Sequence, residues 1–286
     1  MNTQGIALNI FGRSVVGKGR TNDEDAFVVS DLANTAPVHS MTSAASLQVG
    51  PRGVLIAVSD GMGGAPAGDV ASSMVVSELG RGMSTVEAGS AEVALQLSVE
   101  AVNRKVFTIA RDTDRAGMGA TLTAVLFHDI YAYTAEIGDS RAYLLRAGRL
   151  AQLTHDQSYI QRLIDSKTLT QKEAEASQYS NVILQAMGLN PNIDVGLNRV
   201  CVRRHDRFLV CSDGLWGAVE DQVILNLIRG GDTLEKTCDG LIEAAVKLGS
   251  DDDITVVLAE VEGEGAPLIT EPERLSLETS EVFDPA

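Results

Sequence analysis

The sequence predicts an α+β fold in which mainly antiparallel sheets are covered by helices. Short β-branched or apolar runs recur along the chain, helical patterns lie between some of them, and the two do not alternate strictly. Residues 121–145 hold two or three strands separated by tight turns, which favours antiparallel pairing over a doubly wound sheet. With 286 residues, 44% of them hydrophobic, the chain can bury a sizeable core.

Eight segments have the composition of strands, and two show the apolar spacing of helices. The predicted strands are residues 6–11, 26–30, 53–58, 121–127, 131–136, 141–145, 207–211 and 254–260. The helical spacing is carried by Leu95, Val99, Val102 and Val106, and by Leu234, Cys238, Leu241, Ala245 and Leu248. A capping box of Asp232 and Glu235 is predicted to open the second helix.

Two stretches lack this patterning. Residues 32–52, rich in Ser, Thr, Ala and Pro, are predicted to form a long loop that joins two strands. Residues 263–286 mix Pro, Glu, Ser and Thr with little periodicity, which is typical of a disordered acidic tail. The sequence therefore predicts one domain over residues 1–262, followed by a tail over residues 263–286.

Composition and charge argue against several classes of function. The 39 acidic and 23 basic residues give a net charge of -16, which repels nucleic-acid phosphates and anionic membrane surfaces. The N-terminus lacks the features of a signal peptide, and no run approaches the roughly 18 apolar residues of a membrane span. Three cysteines at no metal-ligand spacing indicate a reducing setting. We therefore expect a cytoplasmic protein that binds neither nucleic acid nor membrane.

Two strands end in the same way. GVLIAVSDG places Asp60 and Gly61 after an apolar run, and RFLVCSDG does the same with Asp213 and Gly214. A strand end holds a carboxylate rigidly, and a following glycine lets the backbone turn and approach a ligand. An ordinary Asp-Gly turn would explain one copy better than a site does. Two copies on apolar strands favour a shared binding site.

Two further acidic clusters flank strands. They are Asp23, Glu24 and Asp25 in RTNDEDAFVV, and Asp251, Asp252 and Asp253 in DDDITVVLAEV. Alternation puts Asp251 and Asp253 on one face and Asp252 on the other, so only one set can face a shared site. Four converging clusters would repel one another unless divalent cations neutralised them. The histidines show no paired spacing, so oxygen ligation favours Mg²⁺ or Mn²⁺ over Zn²⁺.

Eight motifs taken in order carry a family resemblance that spans about residues 12–261. They are GKGRTNDEDA, SDGMGGAPAGDVAS, GMGATLTAVLF, IGDSRAYLL, LTHDQS, SNVILQAMG, CSDGLWG and DDDITVVL. Together they resemble the metal-dependent serine/threonine protein phosphatases of the PPM family, type 2C, in their bacterial form. The resemblance implies a four-layer αββα sandwich with a flap over about residues 157–180. It also implies hydrolysis of phosphoserine and phosphothreonine in proteins by a water molecule activated between two divalent cations.

The resemblance assigns metal ligands by position. The implied set is Glu24, Asp25, Asp60, Gly61, Asp213 and Asp252. Asp60 would bridge both metal ions, and the carbonyl of Gly61 would bind one of them. Asp213 and Asp252 would complete the other site, with the acidic pair 24–25 beside the second metal, partly through water.

The resemblance also assigns a phosphate ligand and partners. Arg20, together with Asp60, would be catalytic, with Arg20 binding the substrate phosphate. A surface arginine is the alternative, and the spacing of Arg20 to Asp25 favours the functional role. Asp139 and Arg141 of the GDSR motif are given a structural role. We expect a monomer whose substrates are phosphoproteins, those of a serine/threonine kinase.

Three departures from the family pattern bear on the metals. Asp23 and Asp253 stand where asparagine is common, and Ala116 stands where an aspartate often helps to hold a third metal ion. Asp114 lies two residues earlier and would need a bent loop to replace that aspartate. We expect two tight Mn²⁺ or Mg²⁺ sites and a weak or empty third. A pseudoenzyme that binds phosphoproteins without turnover stays an alternative, whereas a calcium-binding structural domain lacks its EF-hand loop.

Overall fold

The computed structural model describes residues 5–33, 36–63, 67–86, 89–112, 117–170, 173, 182–271 and 273. In these ranges the strands are β1 (Ala7–Val15), β2 (Asp25–Asp31), β3 (Ala45–Gln48), β4 (Val54–Met62), β5 (Gly119–Ala120), β6 (Leu122–His128), β7 (Tyr131–Ile137), β8 (Arg141–Arg146), β9 (Arg149–Gln152), β10 (Gly196–Cys201), β11 (Arg207–Cys211) and β12 (Ile254–Glu262). The helices are α1 (Ala67–Thr85), α2 (Ala91–Asp112), α3 (Tyr159–Asp165), α4 (Asp213–Trp216), α5 (Asp221–Gly230) and α6 (Leu234–Leu248). The predicted strands and both predicted helices are present, each within a few residues of its expected bounds.

The strands form two sheets, and every pairing among the described strands is antiparallel. One sheet has the order β3-β1-β12-β11-β8-β9, and the other β10-β7-β6-β4-β2 with β5 paired to β4. The chain crosses from the second sheet to the first at residues 138–140. Gly138 allows this crossing because its φ is 102°, a conformation that side chains with a Cβ rarely adopt.

Alternation along the strands divides the core into three apolar layers. On β4, Val58 packs between the two sheets, whereas Leu55 and Ala57 pack under α1 and α2. Helices α5 and α6 cover the outer face of the other sheet, where Leu241 joins the third layer. Because both faces of β4 are buried, its sequence is a continuous apolar run. The result is the four-layer αββα sandwich that the resemblance implied.

The strands that sequence reasoning missed lie at sheet edges. β3 lies within residues 32–52, so the prediction of a plain loop there is corrected, and it pairs with β1. β9 and β10 also have no counterpart in the prediction, and each ends its sheet. Edge strands are short and partly exposed, as the half-exposed pattern of β3 shows, so they lack the apolar run that identifies central strands.

The start of α6 differs from the predicted capping box. The N-cap is Thr233, whose hydroxyl accepts the N–H of Lys236 at 3.3 Å. Asp232 lies one residue before the cap and pairs instead with the Lys236 ammonium at 3.5 Å. Threonine and aspartate both cap helices well, so the sequence alone does not show whether Asp232 or Thr233 is the N-cap.

The packed part of the chain continues past residue 262. Ala266 is buried among the residues between the sheets, and the N–H of Arg204 donates to the Pro267 carbonyl at 2.8 Å. The guanidinium of Arg203 pairs with Glu273 at 2.5 Å. The beginning of the expected tail is therefore attached to the domain, and residues 272 and 274–286 lie outside the described residues.

The predicted flap is described only in part. Its first helix, α3, begins after Ser158, whose hydroxyl accepts the N–H of Gln161. Residues 171, 172 and 174–180 of the flap lie outside the described residues. Among the helices that the structure does describe, none has both the length and the apolar composition needed to cross a bilayer.

Candidate metal centre

The predicted site lies where the layer between the two sheets ends. On β2 and β4 the inward-facing row of apolar side chains, which includes Phe27 and Val58, continues to Asp25 and Asp60. These two aspartates are cross-strand partners in the pairing of β2 with β4. Side chains alternate along a strand, so the same face that holds apolar residues further along holds carboxylates here.

Three carboxylates meet there with few hydrogen-bond donors. The hydroxyl of Ser212 donates to Oδ2 of Asp25 at 2.6 Å, but Oδ1 of Asp213 is buried without a hydrogen-bond partner. Burial raises the pKa of Asp25 and of Asp60 well above the ordinary value, and neighbouring carboxylates add to the effect. Burial, followed by the charge of Asp252, raises the pKa of Asp213 to about 6. Among the described residues none of these three carboxylates forms a salt bridge, although the charge of Arg20 lowers the pKa of Asp213 in part.

The GDSR motif contributes a further buried carboxylate. Asp139 lies in the crossing between β7 and β8, and burial together with the charge of Asp213 raises its pKa to about 7. Arg141 holds Asp156 through two hydrogen bonds, of 2.9 Å from Nε and 2.6 Å from Nη2. Its guanidinium also stacks 3.6 Å from the ring centre of Trp216, the last residue of α4. Arg141 thus packs behind the short helix that begins at Asp213.

Each Asp-Gly pair needs its glycine because the backbone of another segment lies very close to it. A Cβ added to Gly61 would lie 2.1 Å from the carbonyl oxygen of Gly68 in α1. A Cβ added to Gly214 would lie 2.1 Å from the carbonyl oxygen of Asp253. Such distances are far below van der Waals contact, so no other residue fits without moving backbone. This crowding is a property of the surrounding structure and not of an isolated turn.

Arg20 lies at the rim of the acidic cluster. Its guanidinium is 2.5 Å from Asp252, 3.4 Å from Asp253 and 3.5 Å from Glu24. Burial by itself lowers the pKa of Arg20, but these carboxylates outweigh it and raise the pKa above the ordinary value. The side chain is still 35% exposed, so its remaining donors can reach a ligand from solvent. These contacts link Arg20 to the acidic cluster, and its phosphate-binding role stays a prediction.

The donors present fit hard divalent cations. Every side chain in the cluster offers carboxylate oxygen, and Oδ1 of Asp213 is a buried acceptor without a donor. A histidine and two glutamates, His205, Glu260 and Glu262, bring ligand atoms within 4.8 Å of one another at the far end of β12. Arg207 already pairs with Glu260 there, at 3.2 Å. Among the described residues the predicted ligands are not gathered as tightly as that trio, and Asp252 pairs with Arg20.

Sequence reasoning missed the polar residues that orient the carboxylates. Ser59 donates to the carbonyl of Thr121 at 2.6 Å, and the hydroxyl of Thr121 accepts the N–H of Asp60 at 2.9 Å. Ser212, before Asp213, holds Asp25. A serine precedes both Asp-Gly pairs, so the repeated SDG string contained a signal for this role. Ala116 and Asp114, on which the expectation of a weak third site depends, lie outside the described residues.

Comparisons with known proteins agree with this geometry. A family model described as Protein phosphatase 2C matches residues 43–241. The chain is 37% identical over 257 residues to the serine/threonine protein phosphatase PstP of Mycobacterium tuberculosis, covering 90% of this chain and 45% of that protein. It is 32% identical over 256 residues to the protein phosphatase PhpP of Streptococcus pneumoniae, covering 88% of this chain and 96% of that one.

Solved structures give the same result. The catalytic domain of the phosphatase PstP, in complex with two manganese ions, matches with a TM-score of 0.73 and 33% identity. That match covers 90% of this chain and 99% of the solved one. The chain nevertheless spans about half the length of the mycobacterial relatives, since it covers 45% of them.

Proposed function

Because the chain belongs to the protein phosphatase 2C family, we propose that it hydrolyses the phosphate esters of serine and threonine side chains in proteins. One observation supports this most: buried carboxylates that lack counter-charge, led by Asp60 and Asp213, lie beside a partly exposed arginine. The carboxylates suit cations and the arginine suits a phosphate. A relative of the same fold, the PstP catalytic domain, is in complex with two manganese ions.

Two divalent cations, Mn²⁺ or Mg²⁺, would be held by the strand-end residues. Asp60 would contribute to both sites, with the Gly61 carbonyl on one and Asp213 and Asp252 on the other. The acidic pair 24–25 would lie beside the second cation. When bound, such cations lower the pKa of water toward neutrality and stabilise negative charge on the attacking and leaving oxygens.

The chain's own residues would bind and orient the phosphoryl group. Arg20 would donate charge-assisted hydrogen bonds to the phosphoryl oxygens from its exposed side. Its contacts with Asp252 and Glu24 would keep the guanidinium next to the bound cations. The same side of the site would then bind both the phosphoryl group and the metals. Met62 follows Gly61 and has no proton to give, and we expect water to protonate the departing serine or threonine oxygen.

Phosphate release from phosphoserine and phosphothreonine peptides, measured with Mn²⁺, Mg²⁺, Ca²⁺ or a chelator, tests this function. We expect turnover with Mn²⁺ or Mg²⁺ and none with the chelator. A protein saturated with Mn²⁺ that is inactive across a varied peptide panel would contradict the catalytic proposal and support the pseudoenzyme alternative. Activity that persists in chelator would contradict metal dependence.

Arg20→Ala tests the phosphate role. We expect kcat/KM to fall by roughly 10- to 1000-fold, the scale of removing a strong donor to a phosphoryl oxygen. Arg81→Ala is a matched control, since Arg81 is 71% exposed on α1 and pairs only weakly with Glu78. If Arg20→Ala unfolds or fails to bind Mn²⁺ at all, Arg20 is a structural ion-pair partner and the phosphate role is wrong.

The cellular setting belongs to the same proposal. We infer a cytoplasmic monomer that acts on the phosphoprotein products of a serine/threonine kinase. The three free cysteines, Cys201, Cys211 and Cys238, and the net charge of -16 support a reducing environment without nucleic-acid partners. Sedimentation of the purified chain, and its distribution between cell fractions, would test this setting.

A further inference from the structure

Asp253 is the buried member of the acidic run 251–253, and both of its carboxylate oxygens are used by the protein. The residue is 1% exposed. Its Oδ1 accepts the N–H of Gly17 at 2.7 Å, and its Oδ2 accepts the N–H of Glu24 at 2.8 Å. Oδ2 also lies 3.4 Å from a guanidinium nitrogen of Arg20. A single carboxylate therefore contacts the first and last residues of the segment 17–24, and the arginine between them.

Segment 17–24 joins β1 to β2 and needs such an attachment. Most of it is exposed. Its internal backbone hydrogen bond closes a turn, in which the N–H of Arg20 donates to the carbonyl of Gly17 at 3.1 Å. Gly17 packs so tightly on the acidic run that an added Cβ would lie 2.4 Å from the Asp251 carbonyl oxygen. Gly17 therefore packs against the residues that precede β12, and the Asp253 side chain contacts the segment there.

We propose that Asp253 is the positioning residue that holds Arg20 and Glu24 toward the substrate phosphate and the cations. This inference rests on the proposed function for what Arg20 and Glu24 bind, but the positioning itself is a property of the chain. Asp253 acts through the segment and does not touch substrate. The neighbouring Asp252 also pairs with Arg20, at 2.5 Å, and is the residue of the run that would bind a cation.

In this chain a carboxylate fills the role, at a position where asparagine is common in the family. Two N–H groups converge on Asp253 from Gly17 and Glu24, and a carboxylate can accept both. An asparagine has one accepting oxygen, and its amide would turn an N–H toward the second donor, which then stays buried and unpaired. An asparagine would also remove one of the three negative charges around Arg20.

Asp253→Asn tests the proposal, with Asp251→Asn as matched control. Asp251 is exposed, lies two residues away and carries the same charge. Hydrogen exchange of peptides covering residues 16–25, measured in the full chain without substrate, should become about tenfold faster in Asp253→Asn and stay unchanged in Asp251→Asn. Unchanged exchange in both variants would overturn the proposal. Because this readout needs no turnover, it decides the positioning role even if the phosphatase function fails.

Kinetics and metal titration then separate positioning from general stability. In Asp253→Asn we expect KM for a phosphopeptide to rise about tenfold and one of two Mn²⁺ affinities to weaken, with smaller change in kcat. In the Arg20→Ala background the same substitution should change kcat/KM by less than about threefold, because both act through one group. Additive effects would overturn the link to Arg20. If Asp253→Asn does not fold, Asp253→Ser, which also removes the charge, carries the same expectations.

Discussion

Strand β11 has an aspartate just beyond each of its ends, and the two meet opposite surroundings. Asp206, before the strand, is buried and accepts hydrogen bonds from Arg146 at 2.9 and 2.7 Å and from the Arg203 N–H at 2.7 Å. Asp213, after the strand, has a buried oxygen without a donor, and the closest charges that act on it include Asp252. At one end of β11 the aspartate is paired with an arginine. At the other end the aspartate belongs to a carboxylate cluster and has no ion-pair partner among the described residues.

The difference separates a structural ion pair from a binding site. A buried carboxylate needs a counter-charge, because burial without one costs several kcal/mol. At Asp206 the chain supplies that charge from Arg146. In the described part of the chain Asp213 has no such partner: the charge of Arg20 acts on it, but the salt bridges of Arg20 go to Asp252, Asp253 and Glu24 at the rim of the cluster. A proton or a cation from outside the chain can supply the missing charge, and this need is the physical argument for the proposed metal centre.

Replacing Asp60, in the centre of the carboxylate cluster, should have the largest effect on activity. Asp60→Asn should lower kcat by roughly 1000-fold or more, because one residue would serve both cations. In chelator the same variant should be more stable than wild type, since a buried repulsive charge is gone. Calorimetric Mn²⁺ titration and thermal melts with and without chelator measure both effects. Wild-type turnover with normal Mn²⁺ stoichiometry would contradict the assignment of Asp60.

Removing the arginine of the Arg146–Asp206 ion pair should lower the free energy of unfolding and leave phosphatase activity unchanged. Arg146→Met would leave Asp206 buried without its cation, at a cost of about 3–5 kcal/mol in the free energy of unfolding. Urea unfolding measures it, and phosphatase activity per folded molecule should stay at the wild-type level. The double variant Arg146→Met/Asp206→Leu should recover most of the loss. A loss below about 1 kcal/mol in the single variant would show that the pair is not needed.

Glu136 on β7 is an intermediate case. Its two oxygens accept the N–H of His155 at 2.9 and 2.8 Å, but no guanidinium or ammonium is among the groups that shift its pKa, which burial raises to about 7. The folded pKa exceeds the unfolded value, so the folded state binds this proton more tightly. Stability from Glu136 is therefore present at pH 4 and is lost as pH rises through 7, by up to about 3 kcal/mol.

Unfolding free energies of wild type and Glu136→Gln between pH 4.5 and 8 check this sign. Wild type should lose more stability than the variant over that range, because glutamine has no proton to release. Glu243→Gln is a control, since Glu243 is an exposed residue of α6. Parallel pH profiles for wild type and Glu136→Gln would contradict the raised pKa.

Prediction from sequence succeeded where local pattern and burial coincide. The central strands β4 and β11 are apolar on both faces, and they were recognised within a few residues. The edge strands β3, β9 and β10 were missed because their partners, and not their own composition, make them strands. The expected tail from residue 263 begins with the buried Ala266, whose packing on the sheets leaves no periodic signal in the sequence.

By itself the sequence determined the central elements and the acidic character of the strand ends. The repeated Asp-Gly pairs after apolar strands, with no paired histidines, indicated oxygen ligation at strand ends, and these are local features of composition and period. The tertiary structure alone decided that Asp25 opposes Asp60, that within the described residues Oδ1 of Asp213 is buried without a hydrogen-bond partner and that Asp253 faces inward to hold segment 17–24. Register and the packing of one sheet on another depend on contacts between distant parts of the chain. Local pattern restricts those contacts but cannot choose among them.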